Sequence, residues 1–178
     1  MRKLLLCLCL VSLVLAGCSQ PVQTQKGEQI FGEFAALDLA GTAVNQEIFA
    51  DYDLTMVNIW GTYCSPCIEE MPALAALHGS FDGRVQVVGI VVDAVDQNGN
   101  PLPGIQAKAR EIVARTGADY RHLLPSKSLK RAYLDRVEAT PETIFVDANG
   151  YQVGERYLGA KTQAQWEAII ASLLESLP

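Results

Sequence analysis

The run Leu54–Trp60 (LTMVNIW) is rich in β-branched and apolar residues, and it passes directly into Gly61-Thr62-Tyr63-Cys64-Ser65-Pro66-Cys67. A short apolar run of this kind reads as a strand covered on both faces, inside a sheet. The next segment, 66–78, places Ile68, Met71, Leu74, Ala75 and Leu77 at helical spacing. A buried strand that feeds a helix at once restricts the chain to layered α/β architectures.

The rest of the chain repeats that alternation. Residues 85–92 (VQVVGIVV) predict a second buried strand, and 93–104 a loop dense in turn residues. A helix follows over 105–116, stopped by Gly117, and a short helix over 126–134. Residues 143–146 and 151–157 predict a hairpin around the turn 147–150. The last helix spans 162–174, with Thr162 and Gln165 spaced as a capping box. An additional N-terminal strand is read over 31–39. Parallel strands need crossovers and the hairpin adds antiparallel ones. The expected fold is therefore α/β, a central mixed sheet with helices on both faces.

The amino terminus has a different purpose. Arg2 and Lys3 precede thirteen almost wholly apolar residues, 4–16. As a helix these reach only about 20 Å, short of the roughly 30 Å hydrocarbon core. Residues 1–17 are read as a signal peptide. Leu15-Ala16-Gly17-Cys18 resembles the lipobox of bacterial lipoproteins, which implies cleavage before Cys18 and lipid on that cysteine. An ordinary secretory signal with a chance cysteine is the alternative. Residues 18–29 then form a lipidated cysteine and a flexible polar tether, and 30–178 the folded domain. This places the protein in the cell envelope, anchored in the lipid membrane on the outer face of the bacterial cytoplasmic membrane.

The chain is 49% hydrophobic and 19% charged, as a globular domain should be, and carries a formal charge of −6. It has no basic block, which excludes a nucleic-acid partner. Of five cysteines, Cys7 and Cys9 leave with the signal peptide and Cys18 is lipidated. Cys64 and Cys67 remain. A pair so close in sequence closes too small a loop to staple a domain, so its chemistry is redox. Cys64 falls at a helix N-terminus, where free N–H groups and the positive end of the dipole stabilise a thiolate. Pro66 suits the first turn, and Cys67 lies three residues on, on the same face. A structural zinc site needs four ligands; there is no second cysteine pair, and His78 and His122 are not in ligand spacing. An inert structural disulfide is another alternative. Two close cysteines, rather than a lone one, argue against a peroxidase.

The stretch W-x-x-x-C-x-P-C-x-x-E-x-P, residues 60–72, resembles the active site of thioredoxin-fold proteins, in particular the TlpA/ResA group of extracytoplasmic thiol-disulfide oxidoreductases. Thr140-Pro141-Glu142-Thr143, continuing to Asp147 and Gly150, resembles the block of that family that carries a cis-proline. The resemblance covers about residues 31–174. It implies a thioredoxin-like fold, no cofactor, an exposed attacking thiol at Cys64 and a buried resolving thiol at Cys67. It also implies that Glu70 relays the proton of Cys67, in place of the buried Asp that thioredoxin has where Asn58 stands. Trp60, Tyr63, Thr140 and Pro141 are expected to meet the partner protein. Tyr63 replaces the usual Trp and Gly61 the usual Ala.

Pro66 before the second cysteine, instead of a thiolate-stabilising His, leans toward a reductant, with a potential nearer about −270 mV than about −120 mV. A reductant outside the cytoplasm implies a membrane electron donor of the CcdA/DsbD type. Apocytochrome c, a methionine sulfoxide reductase or a peroxiredoxin are candidate acceptors. A disulfide-forming oxidant and a copper-handling module of the same fold are the alternative functions.

Overall fold

The computed structural model describes residues 27–177. The expected signal peptide, Cys18 and the tether through residue 26 lie outside the described residues. From Gly27 on the chain is part of the domain: the Glu28 carbonyl accepts from the Gln152 N–H at 2.8 Å, and its carboxylate pairs with Arg136.

The first two strands, β1 (Ala35–Leu37) and β2 (Ala43–Asn45), form a small antiparallel hairpin of their own. A 3₁₀ turn, Gln46–Phe49, follows, capped by Asn45. Then come β3 (Leu54–Trp60), α1 (Ser65–Leu77), β4 (Val85–Val91) and α2 (Pro103–Thr116). Gly117 ends α2 in the left-handed conformation, φ +67°, which glycine adopts without steric penalty. Next are β5 (Arg121–Leu123), α3 (Lys127–Ala132), a 3₁₀ turn at Leu134–Arg136, β6 (Glu142–Val146), β7 (Gln152–Leu158) and α4 (Gln163–Ser176). The capping box at Thr162 and Gln165 is formed as the spacing predicts.

Five strands make the central sheet, in the order β5-β4-β3-β6-β7. β3 is parallel to β4, and β4 to β5; β6 and β7 are antiparallel. Every residue of β3 and β4 is buried, which explains their continuous apolar runs. The sheet is mixed and covered by helices on both faces, as expected. One face packs Met56 and Trp60 against α1, α2 and α4, with Met71, Ile112, Trp166 and Ile170 at the contact. The other packs Val57 and Ile59 against the N-terminal segment and α3, where Phe31, Phe34, Phe49 and Tyr133 gather. Successive residues of a strand point to opposite faces, so β3 alone separates these two cores.

Three expectations change. The N-terminal strand read over 31–39 shrinks to β1 and lies outside the central sheet, because its continuation turns to bridge β5: Asp38 pairs with Leu123, and the Leu39 N–H donates to the His122 carbonyl at 2.8 Å. β5 was not anticipated, since three residues are too few to show a period. The helix expected over 126–134 stops at Ala132 and tightens into the 3₁₀ turn.

Candidate functional site

β3 delivers the chain to the end of the sheet, and the four residues 61–64 turn it into α1. Asp93, just past β4, holds that loop. Its carboxylate accepts from the Thr62 N–H at 3.1 and 3.2 Å and from the Thr62 hydroxyl at 2.6 Å. Cys64 is the N-cap residue of α1, with extended backbone, and its Sγ accepts from the Cys67 N–H at 3.3 Å. That bond satisfies an orphan helix donor now and would favour a thiolate after reduction. Pro66 lies in the first turn, where its missing N–H leaves nothing unpaired.

Cys64 and Cys67 form a disulfide, with Cα atoms 5.3 Å apart. Cys67 is fully buried, and Cys64 is only 6% exposed. Cys64, expected to be the exposed thiol, is thus far less open than expected, although it is the more exposed of the two sulfur-bearing residues. The exposed rim is Tyr63, Ser65 and Pro66, with Tyr63 at 67%.

Glu70 lies on the buried side of α1. Its Oε1 accepts from Asn58 Nδ2 at 3.0 Å; its Oε2 accepts from the Lys161 N–H at 3.2 Å and from Trp166 Nε1 at 3.4 Å. Burial pushes its carboxyl above the usual range, and these donors, with the Lys161 charge, pull against the rise without cancelling it. The side chain of Asn58 also donates to Thr143 Oγ1 at 3.1 Å, so the polar group links β3, β6, α1 and the start of α4.

Trp60 is a correction. It is fully buried and so is not part of the surface that meets a partner. Its indole N–H donates to His122 Nδ1 at 3.1 Å, and His122 Nε2, which then carries the proton, donates to the Ala118 carbonyl at 3.0 Å. Gly89 lies between them; a Cβ there would run into the His122 ring and stand 3.0 Å from Trp60 Nε1. Burial holds His122 down to about 4 and lowers His78 as well. His122 is thereby a core hydrogen-bonding residue. Among the described residues no group of three or more His, Cys, Asp or Glu is placed to hold a metal ion.

The Thr140–Pro141 peptide bond is cis. Pro141 is buried and Thr140 half-buried. The Pro141 carbonyl accepts from the Gly159 N–H at 2.9 Å. Beside this segment runs an open groove of about 340 Å³, bordered by Tyr63, Val92, Val95, Ala139 and Thr140. The structure therefore brings Tyr63 and Thr140 to one surface and leaves Trp60 beneath it. Glu142, next to Pro141, is fully buried, accepts from the Tyr133 hydroxyl at 2.5 Å and faces Arg156 at 3.7 Å. This pins the groove wall to β6.

Sequence reading missed Asp93, Lys161, Trp166 and the Tyr133–Glu142 pair. Only Glu142 carried a signal, as a charged residue inside the second motif; the rest are distant in sequence and meet only through the fold.

Comparison with known proteins agrees with this geometry. The thiol-disulfide oxidoreductase ResA of Halalkalibacterium halodurans is 26% identical over 141 residues, covering 79% of this chain and 73% of its own. A thiol:disulfide interchange protein of the thioredoxin family from Chlorobium tepidum superposes with a TM-score of 0.64 at 19% identity, over 81% of this chain and 94% of its own. The exposed lipoprotein thioredoxin Etrx1 of Streptococcus pneumoniae superposes at 0.57 and 20% identity, over 80% of this chain and 98% of its own. The AhpC/TSA family model matches residues 28–151, and with its disulfide at the head of α1 the chain belongs to that family as a thioredoxin-like thiol-disulfide oxidoreductase.

Proposed function

We propose that the protein is a membrane-anchored reductant of partner-protein disulfides outside the cytoplasm. The observation that carries this reading is the Cys64–Cys67 pair at the start of α1, with its inner sulfur fully buried and a buried carboxyl, Glu70, one turn further along. In the reduced protein the Cys64 thiolate attacks one sulfur of the partner disulfide. A mixed disulfide forms and the other partner sulfur leaves as a thiolate. Cys67 passes its proton to Glu70 and attacks Cys64 Sγ, which releases the second partner thiolate. Two electrons move from the dithiol to the partner, and Cys64 and Cys67 end as the disulfide seen here.

The partner segment lies extended in the groove at Tyr63, against the Thr140 backbone beside Pro141, as an added strand. Direction is argued from Pro66, which can neither donate a hydrogen bond to a thiolate nor carry charge. A CcdA/DsbD-type membrane donor re-reduces the pair. Apocytochrome c, a methionine sulfoxide reductase or a peroxiredoxin fits as acceptor. The signal peptide over 1–17, lipid on Cys18 and the tether fit the exposed lipoprotein among the similar structures. No described helix is long and apolar enough to cross a membrane.

The test is the reduction potential, from the reduced fraction of Cys64 and Cys67 in graded dithiothreitol buffers. A value near about −250 mV or below supports the reductant; one near about −120 mV makes the protein an oxidant that installs disulfides.

A further inference from the structure

Lys161 lies in the turn between β7 and α4 and reaches Glu70 in two ways. Its backbone N–H donates to Glu70 Oε2 at 3.2 Å. Its ammonium lies over the Trp166 ring, 5.2 Å from the centroid, and over the Tyr157 ring at 5.6 Å. That same indole donates its N–H to Glu70 Oε2. Among the described residues no carboxylate stands within ion-pair distance of Lys161; its Nζ instead donates to the Leu158 carbonyl at 3.4 Å. Two ring faces and a carbonyl hold the ammonium without neutralising it, so its charge remains available to act on a neighbour. The same turn is fastened to the cis-proline segment by the Gly159 N–H.

We propose that Lys161 is a positioning residue for Glu70: its backbone fixes one carboxylate oxygen, and its charge lowers the pH range over which that buried carboxyl ionises. This rests on the reading of Glu70 as the proton acceptor for Cys67, and it adds the group that tunes the acceptor. The other titratable groups near Glu70 are Tyr120, before β5, and the two cysteines once reduced. Burial pushes the Tyr120 hydroxyl far up, so it stays neutral and adds no charge. While the disulfide is closed, Lys161 is the formal charge that acts on Glu70, against the rise that burial causes.

The substitution K161M removes the charge and keeps the backbone N–H, whereas K161R keeps both. Glu70 ionisation is followed in the oxidised, folded protein by the carboxyl infrared band, assigned with E70Q. The rate of exchange with a model protein disulfide is followed over the same pH range. In K161M the Glu70 midpoint moves up, and exchange on the acid side slows about two- to fivefold, the effect of losing one partly exposed charge. K161R keeps the parent midpoint and rate. An unmoved Glu70 midpoint in K161M overturns the proposal, as does an equal shift in K161R. A midpoint that moves while the rate profile stays leaves the tuning by Lys161 in place and overturns the role of Glu70 as proton acceptor.

Discussion

The two faces of β3 have been given different contents. Val57 and Ile59 point into an aromatic core, where Phe31 meets Phe34 and Phe49 at ring separations of 6.0 and 5.7 Å, and where the buried polar groups, Tyr133 with Glu142 and Gln86 with Thr55, pair with one another. Asn58 and Trp60, one residue out of phase, point into a core that carries Glu70, His122, Thr143 and the disulfide. The aromatic face supplies stability chiefly by removing apolar area from water. The other gathers its polar groups around the disulfide and the buried Glu70 carboxylate, where Asn58 Nδ2, Trp166 Nε1 and the Lys161 N–H supply the donors that a buried carboxylate needs. A strand with a period of two can thus separate the part that holds the fold from the part that does chemistry.

Substitutions can break or sharpen that contrast. The largest effect is expected from Cys64→Ser, which should reduce disulfide exchange to the uncatalysed background while leaving the fold intact. Cys67→Ser should instead trap a mixed disulfide on Cys64, visible by mass spectrometry and released by dithiothreitol. On the aromatic face, Phe31→Ala should lower stability by about 3–5 kcal/mol in denaturant unfolding and leave the reduction potential where it was. A moved potential would mean that the two faces are coupled.

The remaining effects concern pH and have opposite signs. His122 is held neutral by burial, so the unfolded chain binds a proton there more readily than the folded one. Stability should fall as pH drops from about 6.5 toward about 4, by up to about 3 kcal/mol, and His122→Gln should flatten that slope. Glu70 is raised, so the folded chain binds its proton more readily. Its contribution is present below the ordinary carboxylate range and is lost as pH rises through the folded value. Glu70→Gln should therefore gain on the parent as pH increases, read from urea midpoints across pH.

Much of the site was legible as pattern. Cys64 and Cys67 stood at a strand-to-helix junction, and helical spacing put Glu70 one turn beyond Cys67. Trp60 was misjudged because its place in the motif, beside the cysteines, says nothing about which way the pleat turns it. The side chain faces inward, across Gly89, to His122. Lys161 was invisible for a different reason: it lies 91 residues from Glu70 and contributes a backbone N–H, which every residue but proline has.

By itself the sequence determined the alternation of the longer strands and helices, the buried central strands and the redox pair at a helix start. Each of these is a local property, set by hydrophobic period, turn residues and the capping of helix ends. Only the tertiary structure decided that Cys64 is nearly as buried as Cys67 and that Thr140 and Tyr63 share a groove. It also decided that Asn58, Lys161 and Trp166 converge on one carboxylate. Those facts depend on how distant segments close on one another, and burial and the field at a titrating group are sums over such neighbours.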